Sequence, residues 1–433
     1  MTKAEFAEYI RKGPIYLDGA TGSNLINKGM PSGVCPEAWI LDHPEILKNL
    51  QKEYVQKGSN IVYAPTFTAN RIKLKEYGLE EKLVEMNTEL VRLSKEAVGD
   101  QALVAGDITM TGESLFPLGS LTFEELVDVY EEQIGVLYEA GCDLLVVETM
   151  MSLQETRAAL IAAKKWEELP VMATLTFAEN GRTLYGTDAQ TALVVLQGLG
   201  ADAVGMNCSA GPDKLLPLVE QMAEYAVVPL IAKPNAGLPK LGENGQTVFD
   251  MDADAFASCM PALFEAGAHL LGGCCGTTPE FIEEAKAVLA ELGKEHMFDY
   301  ERRTPDALTT ERNTYRIEED WTLGEAITLE NEELREELLD GDTDMLLDLL
   351  DEEMDEEADA LVISGAQGGA EEKECLLTIL DELGRSTTLP LIFKIDDTKN
   401  LEAVLRNYGG IAGVKDANPE AEKLAKRYGA VLF

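Results

Sequence analysis

The sequence predicts an α/β protein whose first 295 residues form a closed (β/α)8 barrel, also called a TIM barrel. Eight short apolar runs alternate with segments of helical period, and a last helical segment follows the eighth run. Each run is almost continuously apolar, which is typical of parallel strands that are covered on both faces. An open, doubly wound sheet would use the same strands. The count of eight favours the closed barrel, which normally needs about 250 to 300 residues.

The elements follow one another in a regular order. The predicted strands lie at 15–20, 60–67, 102–108, 144–150, 171–177, 203–208, 230–236 and 269–274. The predicted helices lie at 44–57, 80–98, 122–140, 153–166, 189–199, 212–225, 253–266 and 281–292. Pro279 opens the last of these helices at a position where its missing N–H does least harm.

Polar residues end most of the predicted strands, and in a (β/α)8 barrel these ends form the catalytic mouth. They are Asp18, Thr66, Asp107, Glu148, Thr176, Asn207, Cys208, Asn235, Cys274 and Cys275. Cys208 ends the sixth strand and the pair Cys274 and Cys275 ends the eighth, so three thiols share one rim. Adjacent cysteines rarely form a disulfide, because the bridge strains its own dihedral angle. Three thiolates instead suit one zinc ion with a fourth position open to water or substrate.

Other residues have simpler interpretations. For Cys35, Cys142, Cys259 and Cys375 a small buried or tolerated side chain is the better interpretation. By spacing alone, Asp18 and Glu148 could equally cap a loop, pair with a basic neighbour or serve a function. The glycine-containing stretch 18–23 has neither the P-loop ending nor the dinucleotide-binding pattern, so its glycines favour close approach of a small ligand to the backbone.

Composition excludes several classes of protein. The formal net charge of −42 disfavours nucleic acid and anionic membrane surfaces as partners. Seven scattered cysteines, an odd number, indicate thiols and not a disulfide framework. The start of the chain builds no signal-peptide core, and no apolar run approaches the length of a membrane span. We therefore expect a cytoplasmic protein.

Six segments in order resemble one known family, the homocysteine S-methyltransferases. The resemblance is to the homocysteine-binding barrel shared by cobalamin-dependent methionine synthase, betaine-homocysteine methyltransferase and S-methylmethionine-homocysteine methyltransferase. The matching segments lie at 17–22, 65–70, 147–150, 205–208, 234–239 and 272–279.

The resemblance implies a role for each site residue. Cys208, Cys274 and Cys275 would hold one zinc per chain. Glu148 and Asp18 would receive the amino-acid end of homocysteine. The substrate-binding residues would also include Gly19 and Ala20, whose backbone would take the substrate carboxylate, and Asn207.

The implied reaction is methyl transfer to the sulfur of homocysteine, which gives methionine. Zinc would stabilise the substrate thiolate, so no catalytic side chain is expected to act as a base. Glu148 and Asp18 would orient the ammonium group. A zinc site selects only for the sulfur or selenium atom of the acceptor. A related acceptor such as selenocysteine or methanethiol is therefore an alternative to homocysteine.

The rest of the chain predicts a linker at 296–323 and a smaller α/β segment at 324–433. This segment resembles the first half of the pterin-binding barrel of methionine synthase, at 324–328, 338–342, 358–363, 390–396 and 425–430. Ala326 and Thr328 replace the usual Arg and Asn, and the stretch 364–366 replaces an Asp- or Asn-bearing strand end. These departures argue against folate binding. A half-barrel leaves strand edges unpaired, so a homo-oligomer or a partner chain could cover 324–433.

The methyl donor is open between a corrinoid protein and a small molecule such as S-methylmethionine. The chain has no Asp-x-His-x-x-Gly motif of a cobalamin module, so methylcobalamin would arrive on a partner. The acidic stretch 340–359 is either a solvated amphipathic helix or a surface that docks such a partner. Two alternatives to a self-sufficient enzyme are a subunit or scaffold of a multi-protein methyltransferase system and a zinc reservoir. The reservoir would leave Asp18 and Glu148 without a use.

Overall fold

A computed structural model describes residues 1–116, 118–242, 247–290, 292 and 306–433 of the 433-residue chain. The chain divides into two compact units. The barrel unit comprises Met1–Tyr185 and the described part of Ala201–Arg302. The five-stranded unit comprises Gly186–Gly200 and the described part of Arg303–Phe433.

The barrel unit is built on an eight-stranded parallel sheet. The strands of this unit, including a short hairpin formed by β8 and β9, are β1 (Ile15–Tyr16), β2 (Ile61–Ala64), β3 (Leu103–Ile108), β4 (Leu144–Met150), β5 (Val171–Leu175), β6 (Ala203–Cys208), β7 (Leu230–Pro234), β8 (Pro239–Leu241), β9 (Thr247–Phe249) and β10 (Ala268–Leu271). The order in the large sheet is β1-β10-β7-β6-β5-β4-β3-β2. A parallel bridge between Leu17 and Ile61 joins the two ends of this sheet. The predicted (β/α)8 barrel is therefore confirmed.

Helices precede, connect and follow these strands. They are α1 (Lys3–Ile10), α2 (Gly22–Asn27), α3 (Pro36–Asp42), α4 (Pro44–Lys57), α5 (Arg71–Lys75), α6 (Leu83–Val98), α7 (Phe123–Glu139), α8 (Leu153–Ala163), α9 (Ala189–Gly198), α10 (Pro212–Ala223), α11 (Ala253–Glu265) and α12 (Pro279–Leu289). Side chains at the start of several helices accept backbone N–H groups, and at α7 Thr122 and Glu125 form a complete capping box. By its contacts α9 belongs to the five-stranded unit.

The first helix closes one end of the barrel. Phe6 and Ile10 of α1 are buried in one apolar cluster with barrel residues that include Ile15, Ile61 and Leu144. These strand residues lie at or near the amino ends of β1, β2 and β4. The carboxyl ends of the strands, where the polar residues are found, therefore form the open mouth.

The five-stranded unit has a parallel sheet whose strands neighbour one another in chain order. The strands of this unit are β11 (Ala307–Thr309), β12 (Thr314–Arg316), β13 (Leu323–Gly324), β14 (Ala360–Ser364), β15 (Leu391–Lys394), β16 (Gly413–Val414) and β17 (Val431–Leu432). The antiparallel pair β11 and β12 stands apart from the order β13-β14-β15-β16-β17. The later helices are α13 (Glu332–Asp340), α14 (Asp344–Asp355), α15 (Ala370–Ser386), α16 (Thr398–Asn407) and α17 (Pro419–Tyr428).

The predicted linker and the acidic stretch both bear on this second unit. Residues 296–305 of the linker lie outside the described residues, and the part from 306 contains β11 and β12. The domain boundaries themselves stay a prediction. Helix α14 occupies most of the acidic stretch, with Leu346 and Leu350 buried and Met354 exposed. No helix in the described part of the chain is both long and apolar enough to cross a membrane.

Candidate active site

Three thiols from distant parts of the sequence meet at the mouth of the barrel. Cys208 ends β6, while Cys274 and Cys275 follow β10, and their Sγ atoms all lie within 4.8 Å of one another. The Sγ atoms of Cys208 and Cys275 are 3.8 Å apart, and all three cysteines are free thiols. Zinc–sulfur bonds of about 2.3 Å place two sulfurs of a tetrahedral site about 3.8 Å apart, so this donor set fits zinc. Within the described ranges, no other group of three or more His, Cys, Asp or Glu side chains is arranged to hold a metal ion.

Backbone hydrogen bonds hold the turn that carries the two adjacent cysteines. Cys274 N–H donates to the carbonyl of Pro234 at 2.7 Å, and Ala236 N–H donates to the carbonyl of Cys275 at 3.0 Å. The preceding Gly272 lies against the first strand, where an added Cβ would approach the Asp18 carbonyl oxygen to 2.7 Å. A side chain at residue 272 would therefore push the thiol turn away from β1.

The thiols also share protons with one another. Hydrogen bonds from Cys208 and Cys274 lower the pKa of Cys275 to about 3. Hydrogen bonds to Cys274 and Cys275, in which Cys208 is the donor, raise the pKa of Cys208, and burial raises it further. One thiolate is therefore stabilised before any metal binds, and this favours capture of a cation.

Asn207 connects a thiol to the strand that carries Glu148. Its Oδ1 accepts from Thr149 N–H at 3.0 Å, and its Nδ2 donates to Thr149 Oγ1 at 2.7 Å. The same Nδ2 lies 3.7 Å from Cys274 Sγ. Thr149 has a φ of +59°, which is rare for a β-branched residue. The structure gives Asn207 contacts with protein atoms, and its direct contact with substrate stays a prediction.

Asp18 and Glu148 lie together, and a buried lysine joins them. Lys233 Nζ lies 3.1 Å from Asp18 Oδ1 and 3.0 Å from Glu148 Oε1. Asp18 Oδ2 accepts from Tyr63 N–H at 2.8 Å. Lys233 Nζ also lies 3.6 Å from the centre of the Tyr63 ring, within the range of a cation–π interaction. The ammonium group is thus enclosed by two carboxylates and an aromatic face.

Lys233 is not among the residues predicted from the strand ends, although the sequence contains a signal for it. The side chain is only 3% exposed and belongs to β7, in the run Leu230–Pro234 that is otherwise apolar. Lysine is almost never fully buried unless it is paired. A lysine near the carboxyl end of a buried barrel strand therefore indicates an acidic partner in the mouth, and Asp18 and Glu148 were already candidates.

Burial and the neighbouring charges shift the pKa values of the titratable groups in the mouth. Burial raises the pKa of Glu148 to about 7, although Lys233 opposes this shift. Burial also raises the pKa of Asp18, again against Lys233. Burial followed by the charge of Glu148 raises the pKa of Asp107 well above its usual range. Burial lowers the pKa of Lys233, but Asp18 and Glu148 outweigh it and keep this pKa well above the ordinary value.

The loop after β1 is fixed by hydrogen bonds. Ala20 N–H donates to Thr277 Oγ1 at 3.1 Å, and the Ala20 carbonyl accepts from Asn24 Nδ2 at 2.6 Å and from Tyr54 OH at 3.0 Å. A Cβ at Gly19 would lie 2.6 Å from Thr277 Oγ1, so only glycine fits there. A substrate carboxylate that uses Ala20 N–H would have to replace the Thr277 hydroxyl.

Several buried oxygens in the mouth have no hydrogen-bond partner among the described residues. Glu148 Oε1 is one of them, because its contact with Lys233 Nζ at 3.0 Å is an ion pair without hydrogen-bond geometry. Asp107 Oδ1 and Asn235 Oδ1 also lack a partner. Asn235 lies between Pro234 and Ala236, the two residues whose backbone holds the thiol turn. Unpaired buried oxygens are costly unless a ligand or ion completes them, so these atoms are candidates to contact a ligand.

Exposed apolar side chains occur in several segments that follow the carboxyl ends of the barrel strands. We call this set the apolar rim, and its members are Ile26, Phe116, Leu118, Leu184, Tyr185, Leu238 and Val248. Leu118 is 83% exposed and Leu184 is 73% exposed. Exposed apolar groups at one face of a protein often mark an interaction surface.

A family model and the sequences of known proteins match this chain. A family model described as homocysteine S-methyltransferase matches residues 15–289. The methionine synthase of Mycobacterium tuberculosis is 26% identical over 400 residues, which cover 89% of this chain and 33% of that protein. The methionine synthase of Mycobacterium leprae is 27% identical over 293 residues, which cover 63% of this chain and 24% of that protein. The chain thus spans a third or less of the length of these relatives.

Solved structures support the fold. The homocysteine methyltransferase MmuM from Escherichia coli in its metallated form has a TM-score of 0.54 and 21% sequence identity. The similarity covers 64% of this chain and 96% of that one. The apo form of the same protein gives a TM-score of 0.52 at 22% identity and covers 65% of this chain and 98% of that one. At this level of identity the likeness concerns the barrel.

Proposed function

The chain belongs to the homocysteine S-methyltransferase family, and from this premise we propose that it is a zinc-dependent enzyme that methylates L-homocysteine to methionine. The observation that carries the proposal is the convergence of three free thiols at the mouth of the barrel, with two sulfurs 3.8 Å apart. This spacing suits tetrahedral zinc with one position left for a substrate sulfur.

Each part of the site then has a task. Cys208, Cys274 and Cys275 would hold one zinc per chain, and zinc bound there supplies a cation that stabilises the substrate thiolate near neutral pH. The neighbouring carboxylates would bind the amino-acid end of homocysteine, and Glu148 is the better placed of the two. Both Asp18 oxygens already have protein partners, whereas Glu148 has one oxygen on Lys233. The rigid loop around Gly19 would face the substrate carboxylate.

The methyl donor is proposed to be a corrinoid protein, with S-methylmethionine as the small-molecule candidate. The apolar rim supports a protein donor, because Leu118 and Leu184 are exposed in the segments that follow β3 and β5, at the end of the barrel where a methyl group must enter. A small donor has no need of such a surface.

A donor screen on the purified, zinc-loaded protein tests this function. The protein is incubated with L-homocysteine and either S-methylmethionine or a methylated corrinoid carrier protein, and methionine is measured together with zinc content. We expect one zinc per chain and methionine from one of the donors. A purified protein without zinc, or no methionine with either donor, would contradict the proposed zinc-dependent methylation of homocysteine.

A second candidate is a subunit of a multi-protein methyltransferase system that needs a partner for corrinoid or folate chemistry. It is supported by the apolar rim. Turnover that appears only after a stoichiometric partner protein is added would favour this candidate. Turnover with a small donor alone would remove it.

Folate binding is not proposed for residues 324–433. Ala326 N–H donates to Glu353 Oε1, and the Glu353 side chain is buried. The loop after β14 donates its backbone N–H groups to Glu372. These strand ends are therefore already engaged by the unit's own carboxylates.

A further inference from the structure

Lys233 is a buried charge for which methyl transfer offers no evident use. The side chain is 3% exposed, and its Nζ lies 3.1 Å from Asp18 Oδ1 and 3.0 Å from Glu148 Oε1. The Tyr63 ring covers a third side at 3.6 Å. A lysine enclosed in this way is not available to bind a substrate carboxylate. Its effect must pass through the groups it touches.

Asp18 is equally committed to the protein. Its Oδ1 meets Lys233, and its Oδ2 accepts from the N–H of Tyr63 at 2.8 Å. Asp18 therefore holds the lysine and the second strand, and it has little capacity left for an incoming ammonium group. Glu148 differs, because the ion pair with Lys233 occupies its Oε1. Its second oxygen is therefore the better candidate to accept the ammonium group of the substrate.

The charges of the cluster support this division. Lys233 carries one positive charge and lies between the carboxyl groups of Asp18 and Glu148. These three side chains therefore have one net negative charge when both carboxyl groups are ionised. One ammonium group balances that charge, and buried charges are tolerated only when they are paired.

We propose that Lys233 is a positioning residue for substrate selection. Held by Asp18 and the Tyr63 ring, it fixes Glu148 so that the carboxylate accepts the single ammonium group of an α-amino thiol and discriminates against thiols that lack it. The inference rests on the proposed function, because it concerns the amino-acid end of the homocysteine site.

The test compares binding of two thiols to the zinc-loaded protein by calorimetry. The thiols are L-homocysteine and 4-mercaptobutanoate, which is homocysteine without its amino group. The variant Lys233→Met keeps the length of the side chain and removes the charge. Lys214→Met is the matched control, because Lys214 is 68% exposed on α10 of the same unit. Circular dichroism and zinc content establish that each variant is folded and loaded.

The expected result is a loss of selectivity. In Lys233→Met the affinity for L-homocysteine falls on the order of 10- to 100-fold, as is usual when one member of a buried charge pair is removed. The affinity for 4-mercaptobutanoate stays within about twofold, because its contacts do not include Glu148. Lys214→Met leaves both affinities as in the wild type.

Three results would overturn the inference. Equal weakening of both thiols would mean that Lys233 only supports the fold, and unchanged affinities would mean that it has no role. Tighter homocysteine binding in Lys233→Met would mean that the lysine occupies the place of the substrate ammonium. A wild-type, zinc-loaded protein that binds neither thiol would instead contradict the proposed function itself, so the two failures can be told apart.

A second variant keeps the test decisive if Lys233→Met does not fold. Asp18→Asn preserves the shape of the side chain and leaves Lys233 with one carboxylate. Because Asp18 acts through Lys233, its removal should lower the preference for L-homocysteine while the affinity for 4-mercaptobutanoate is kept. Where Lys233→Met does fold, the effects of the two substitutions should not add in the double variant. Additive effects, or an unchanged preference in Asp18→Asn, would contradict the role of the lysine.

Discussion

The two parallel sheets of this chain treat charged side chains at their strand ends differently. In the barrel unit, Lys233, Asp18 and Glu148 are buried and meet one another inside the mouth. In the five-stranded unit, Lys394 at the end of β15 pairs with Asp416 at 2.9 Å, and both side chains are more than half exposed, at 51% and 63%. Water can solvate the second pair, so it needs no ligand.

One buried carboxylate of the five-stranded unit, Glu372, is satisfied by the loop that precedes its helix. Glu372 Oε2 accepts the N–H groups of Ala366, Gln367 and Gly368 at 2.7, 2.8 and 3.0 Å. Its Oε1 accepts from Asn400 Nδ2 at 3.2 Å. Three successive backbone donors form the kind of concave site that binds anions in other proteins. Here the anion is part of the chain.

The contrast separates buried charge that supports a fold from buried charge that awaits a ligand. Glu372 has a complete set of donors, and the hydrogen bonds from the loop amides outweigh burial and lower its pKa. Glu148 has one lysine, and burial raises its pKa to about 7. Perturbation toward neutral pH with an incomplete partner set is typical of a functional carboxylate.

The largest expected effect comes from breaking the thiol cluster. Cys274→Ala should remove the bound zinc and lower methionine formation by at least about 1,000-fold, because two thiolates do not complete the site. Metal analysis and a turnover assay measure both changes. Cys142→Ala is the control, since Cys142 is a buried free thiol of the same unit outside the cluster. Stoichiometric zinc in Cys274→Ala would show that the ligands are assigned wrongly.

A smaller effect is expected from the residue behind the thiols. Asn207→Ala removes both hydrogen bonds that hold Thr149 at its positive φ and the contact with Cys274 Sγ. Loss of such an outer partner usually costs about 10- to 100-fold in metal affinity or activity. Competition with a zinc chelator measures the affinity directly.

Asn87→Ala is the matched control for this second variant. Asn87 is also a fully buried asparagine, but it donates to the carbonyls of Ala69 and Leu83 in another part of the barrel. Both variants should lose stability, and only Asn207→Ala should lose zinc. Equal zinc affinity in the two variants would make Asn207 a purely structural residue.

Sequence reasoning placed the barrel and the thiols well because each depends on local patterns. Strands β4 and β6 coincide with the predicted ranges, and Cys208 and the adjacent pair are brought to one rim by the parallel order of the strands. The partners of Lys233 are Tyr63 of β2, Glu148 of β4 and Asp18, the second residue after β1. Contacts between a buried charge and three distant segments cannot be predicted from their spacing in the sequence.

The pH dependence of selectivity sharpens the comparison of the two carboxylates. Because burial raises the pKa of Glu148 to about 7, the ionised form that pairs with an ammonium group is lost as the pH falls below 7. The ratio of L-homocysteine to 4-mercaptobutanoate affinity should therefore fall by up to about tenfold per pH unit below 7 and level off above it. Calorimetry between pH 5.5 and 8 measures this ratio, at about half-unit steps. A ratio that is constant over this range would show that no carboxylate with a neutral pKa contacts the amino group.

The smallest effect on the site is expected from Glu372→Gln, which tests the other half of the comparison. The pKa of Glu372 is lowered, so its stabilising hydrogen bonds are present above the unfolded-state pKa near 4.3 and are lost as the pH falls through the lower folded-state value. Replacing the carboxylate with a neutral amide should lower the local stability of the loop at 364–369 by about 1–3 kcal/mol at neutral pH. Hydrogen exchange of the Ala366, Gln367 and Gly368 amides should become faster, while zinc content and homocysteine affinity stay within about twofold of the wild type. If homocysteine affinity fell as far as in Lys233→Met, Glu372 would be a functional group. The distinction between a carboxylate that supports the fold and one that awaits a ligand would then fail.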